Sequence, residues 1–201
     1  MKKISALDRI LFLLTGHVAG YQIIKGMESF DVLTTFYFTV SFGILVLACL
    51  LLLLFGFEVL SNKAVSLIAT VIPLSLSLGL VNHLFADFHV HFLFVVIIIY
   101  IVFFMARFFA SSQLASLILA FVHGIAGLVL FILPIIMIIQ GNSNLQFILV
   151  SLGSMFIGIE GMLLAFAKSD KSIVNEKKIF AIFPIVLLLA TVSFVGGLAV
   201  Y

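Results

Sequence analysis

The chain has 201 residues, of which 65% are hydrophobic and only 9% charged, with ten Lys and Arg against eight Asp and Glu. A soluble domain is about half apolar and about a quarter charged, so no soluble core hides this much apolar surface, and lipid is the solvent. The net charge of +2 gathers at the ends of apolar runs and offers no track for nucleic acid, while a lone cysteine, Cys49, excludes a disulfide framework or a thiolate cluster.

The first apolar run, 8–26, follows the basic start "MKKISALD". It has no clear small-x-small cleavage site, so it reads as a retained helix. Six more runs follow at 34–58, 64–84, 90–109, 114–139, 145–167 and 178–200. Each has the roughly 20 residues that cross a hydrocarbon layer of about 30 Å. Within lipid such runs must be helical, because a single strand leaves its backbone polar groups unpaired. Short polar breaks separate them, among them "KGMESFD", "SNKA", "ADFHVH" and "QGNSN". The expected fold is therefore an all-α polytopic membrane protein, one domain over 1–201 with seven transmembrane helices.

Orientation follows from the cations. With the N-terminus in the cytoplasm, the inner side receives Lys2, Lys3, Arg9, Lys63, Arg107, Lys168, Lys171, Lys177 and Lys178, and the outer side only Lys25. That split obeys the positive-inside rule for the cell (inner) membrane and puts the C-terminus outside.

Rare polar residues recur within the runs. His17 in "LLTGHVAGYQII" is matched by His123 in "LAFVHGIAGLVLF"; Glu58 in "LLFGFEVL" by Glu160 in "MFIGIEGML"; Pro73 by Pro184. The order His, Glu, Pro occurs in both 1–84 and 114–201, with His-to-Glu separations of 41 and 37 residues. Both triplets cross in the same sense, so the expectation is a parallel three-plus-one-plus-three repeat with 90–109 as linker helix. This plan resembles that of the SWEET sugar transporters in architecture alone, since the proline-glutamine motif of that family is absent.

At 1.5 Å per residue, His17, His123 and Glu160 lie roughly 12–15 Å from the inner ends of their runs, with Glu58 nearer the headgroups. His17, Tyr21 and Lys25 follow at i, i+4 and i+8 and share a face. Ionisable groups at such depth usually point into a bundle or a wet cavity. His17, Tyr21, Glu58, His123 and Glu160 are thus the candidate substrate- or proton-binding set. An imidazole exchanges protons near neutral pH, and burial raises a carboxylate toward the same range. A second cluster lies in "NHLFADFHVHF": His83, Asp87 and His91 align on a helix, and Asp87, His89 and His91 on an extended loop. Two imidazoles and a carboxylate suit a transition metal such as zinc.

These residues support a transporter or channel for a cation or a proton-coupled small solute. The alternatives are a haem protein with His17 and His123 as axial ligands, and a non-catalytic membrane subunit, in a homo-oligomer or with a partner. No phosphate loop, HExxH, Gly-x-Ser-x-Gly or cysteine pair occurs, so no catalytic residue is assigned and an enzyme is the least favoured class.

Overall fold

The computed structural model describes residues 4–26, 28–167 and 176–200, with side chains described except at 112, 160, 162–167 and 176–177. Lys2, Lys3, Lys168 and Lys171, which contribute to the expected orientation, lie outside the described residues. Seven long helices form: α1 (Ala6–Lys25), α2 (Val32–Phe55), α3 (Lys63–Leu84), α4 (Ala86–Phe109), α5 (Ser112–Ile139), α6 (Ile148–Ala167) and α7 (Glu176–Leu198). Short 3-10 turns, Gly56–Ser61 and Leu145–Phe147, precede α3 and α6, and the described residues include no strand.

Polar caps set the helix starts. Ser5 and Asp8 form a reciprocal capping box on α1, Ser5 Oγ accepting from the Asp8 amide at 3.2 Å and Asp8 Oδ2 from the Ser5 amide at 2.8 Å. Asp31, Asn62 and Ser111 cap α2, α3 and α5 through their side-chain oxygens. Gly56, at φ +70°, closes α2 in a backbone conformation that a side chain would resist.

Among the described residues five helices, α2, α3, α4, α5 and α7, are long and apolar enough to cross a membrane, which is the character of a membrane protein. Helix α1 falls short because Asp8, Arg9, His17, Tyr21 and Gln22 dilute its apolar content, and the described apolar part of α6, Leu145–Ile159, is short. Of the two arrangements open for "ADFHVH", the extended one is not found: α3 ends at Leu84, Phe85 alone makes the turn, and α4 begins at Ala86.

Consecutive helices pack side by side, and α1 also packs on α7, which closes a ring. Within it α3 moves inward to touch α5. Serines stitch the seams: Ser41 Oγ donates to the Ile72 carbonyl at 2.9 Å, and Ser75 Oγ to that of Tyr37 at 2.7 Å, tying α2 to α3. Across α5 and α6, Ser151 Oγ donates to the Phe131 carbonyl at 2.7 Å and Ser154 Oγ to that of Gly127 at 2.6 Å. Such bonds keep hydroxyls satisfied where no water is at hand. Helix α1 rests on its neighbours through Phe12, whose ring lies edge-on to Phe57 at 5.9 Å and to Phe183 at 6.1 Å. Its packing on α2 and α7 sets it alongside two helices that are long and apolar enough to cross a membrane.

Candidate functional site

The expected inner set does not converge around His17. That side chain is exposed on the outer surface of α1, as are Tyr21 and Lys25 along the same face. The buried face of α1 is instead Asp8, Phe12, Thr15, Ala19 and Gln22. Helix α1 packs on α2 and α7, and among the described residues it shares no extended seam with α5 or α6. His123, on α5, is half-buried, and its Nδ1 pairs with the Leu119 carbonyl at 3.0 Å, one turn back in its own helix. Glu58 is exposed in the 3-10 turn after α2, where Ser61 Oγ donates to its main-chain oxygen at 2.7 Å. Glu160 belongs to α6, and its side chain lies outside what the structure describes. Two shallow hollows lie elsewhere: one is lined by apolar side chains of α2 and α3 such as Leu47 and Ile68, the other opens at the α5–α6 turn around Asn142. Neither holds a histidine or a carboxylate.

The second cluster is also taken apart. The early start of α4 turns Asp87 and His91 to the surface and His89 inward, because residues two apart on a helix point to different sides. His91 stacks on Phe88 at 5.9 Å, and His83 on α3 lies edge-on to Phe30 at 5.0 Å. Among the described residues no three His, Cys, Asp or Glu side chains come together as a metal would need. The expectation of a zinc-type site at His83, Asp87, His89 and His91 is therefore not met.

What the fold builds at this end is a hydrogen-bonded clamp. His89 is buried, and its Nε2 lies 2.9 Å from the Tyr37 hydroxyl of α2. Since α2 and α4 have little direct packing, this pair links them across the end of α3. Nearby, Asp31 accepts from the Leu33 amide at 2.9 Å, the Thr34 amide at 3.1 Å and the Thr34 hydroxyl. Asn82 of α3 bridges the same two residues, donating to Asp31 at 3.2 Å and to Thr34 Oγ1 at 2.8 Å. Burial pushes the Asp31 carboxyl up, but the donors from Thr34, Leu33 and Asn82 together hold it below the ordinary carboxylate value. A carboxylate so fully engaged positions helices and leaves little capacity for an added ligand.

Sequence reasoning passed over Asp31, Thr34 and Asn82. The signal available was Asp31 just before an apolar run, a helix-capping pattern. Its pairing with Asn82, 51 positions away, had no local mark. Comparison with known families, proteins and solved structures finds none that matches this chain.

Proposed function

We propose that the protein is a non-catalytic subunit of the cell's inner membrane, N-terminus inside, that holds a partner helix against α1. The observation that carries this reading is a mismatch between polarity and position. Helix α1 is the least apolar of the seven, and α3 the next. Helix α3 meets the demand of its polar groups by burial: 61% of its apolar stretch is enclosed, against 22% for α4. Helix α1 sits at the rim with His17, Tyr21 and Lys25 exposed. A polar side chain facing lipid in mid-membrane is costly, and a second protein surface over α1 removes that cost.

A lipophilic photoreactive label tests this. In native membranes it is expected to mark the outer face of α4 at Phe94 and Ile98, 63% and 60% exposed, and to spare α1 at Leu13 and Ile24, 57% and 75% exposed. After purification into lipid alone, both faces should label alike. Equal labelling of α1 and α4 in native membranes defeats the docking reading.

The repeat has two supports. Its first half meets its second through α1 with α7 and α3 with α5, the two contacts that a twofold axis would exchange. The buried positions Asp8, Thr15 and Ala19 of α1 recur at the same spacing in α5 as Ala115, Val122 and Ala126. That register aligns Gly16, not His17, with His123, which accounts for one histidine facing out and the other lying half-buried. A haem ligated by His17 and His123 finds no support in α1 and α5, which share no extended seam among the described residues.

Transport of a cation or proton keeps one specific support. Gly124 on α5 and Gly158 on α6 are exposed, and a Cβ at either of them, or at Gly161, would meet nothing within 4 Å. The bonds from Ser151 to Phe131 and from Ser154 to Gly127 set α5 and α6 antiparallel, so the α6 main chain at 160 falls close to the level of His123. Glu160→Gln keeps the shape and removes the charge. On the transport reading it lowers pH-driven flux in proteoliposomes by about tenfold or more, and unchanged flux ends that reading.

A further inference from the structure

We propose that the helix seated on α1 carries a carboxylate at the depth of His17, near the middle of the membrane. The inference rests on α1 being a docking face, and it names what docks. The exposed line on α1 consists of an imidazole, a phenol and an ammonium, at His17, Tyr21 and Lys25. All three can donate hydrogen bonds, and two can carry positive charge. The only carboxylate of this helix, Asp8, is buried on the opposite face and engaged in the N-terminal capping box. The face therefore asks for an acceptor with negative charge.

Depth decides which acceptor. Lys25 ends α1, and a lipid phosphate reaches it there. His17 is eight residues deeper, about 12 Å along the axis, where headgroups do not extend. A carboxylate borne on a transmembrane helix does reach it. Gly20 stands beside this line, and a Cβ there would meet nothing within 4 Å, so the partner's backbone can come close between His17 and Tyr21. One carboxylate at that level can accept from both. A second copy of this chain is a poorer occupant: copies face to face about a twofold axis would set His17 against His17 and Lys25 against Lys25.

The test uses the full chain in phosphatidylcholine vesicles and leucine-rich single-span peptides with Glu, Gln or Leu at the centre, with binding read by energy transfer. The Glu peptide is expected to bind about tenfold more tightly than the Leu peptide. His17→Leu should abolish that preference, and Tyr21→Phe should reduce it. Equal binding of the three peptides, or a Glu preference indifferent to both substitutions, overturns the carboxylate. So does disulfide pairing of two copies through Leu13→Cys, or loss of the Glu preference in wild type when phosphatidylglycerol is added. If those results come while α1 stays shielded from the photolabel in native membranes, only the carboxylate falls. If α1 is unshielded there, the docking reading falls with it.

Discussion

Valine at position 197 is expected to force α7 away from α6 and to destabilise the bundle by about 3 kcal/mol, the upper end of overpacking costs. A Cβ on Gly197 would stand 2.7 Å from the Val150 amide nitrogen, 2.6 Å from Val150 Cγ2 and 3.2 Å from the Leu149 carbonyl carbon. Two of those atoms are backbone, so no rotamer change relieves the clash. Val150 is itself fully buried. The matched control is Gly43→Val on α2, where a Cβ meets nothing within 4 Å, and its effect should stay within about 0.5 kcal/mol. Unfolding in mixed dodecyl maltoside and SDS micelles measures both. Equal stability of the two variants would show that α6 and α7 are not packed this closely.

Phe38→Ala should cost more, about 4 kcal/mol, the range for removing an aromatic ring from a packed core. Phe38 is fully buried on α2, edge-on to Phe30 at 5.1 Å. Its ring lies against Gly79 of α3, where a Cβ would approach Phe38 Cε1 to 2.5 Å. Ring and glycine are complementary, which gives the prediction a second arm. Gly79→Ala alone should destabilise, whereas in the Phe38→Ala background it should restore part of the loss. The coupling is expected to exceed about 1 kcal/mol, and additive effects in the same micelle titration would refute the contact.

Much of the fold was legible because the apolar runs are long and the breaks between them carry caps and glycines. The run 114–139 became α5, Ser112–Ile139, and 145–167 became α6 with the short turn before it. At "ADFHVH" the sequence left helix and extended loop both open, because polarity at a membrane surface does not distinguish a loop from the first turns of a helix. A single residue, Phe85, is enough to reverse the chain.

The site was harder to read for a reason intrinsic to lipid. The spacing of His17, Tyr21 and Lys25 puts them on one face, and the structure keeps them so. It does not say which way the face points. In water, polarity marks the outer side of a helix; in a bilayer both the bundle interior and the surroundings are apolar, so that compass is lost. The same ambiguity separates His17 from His123, alike in sequence setting but different in burial. The Tyr37–His89 bond was out of reach because it joins residues 52 positions apart.

The closure of the ring by α1 and α7 bears on how the molecule is assembled. Phe12 and Phe183 touch in the finished bundle, yet a ribosome making roughly 5–20 residues per second separates their synthesis by about ten to thirty seconds. Through that interval α1 has only α2 as a lasting neighbour, and the flank destined for α7 stands open. The ring therefore stays open until the last helix of the seven is in place. It closes once α7 has been made and packs between α6 and α1.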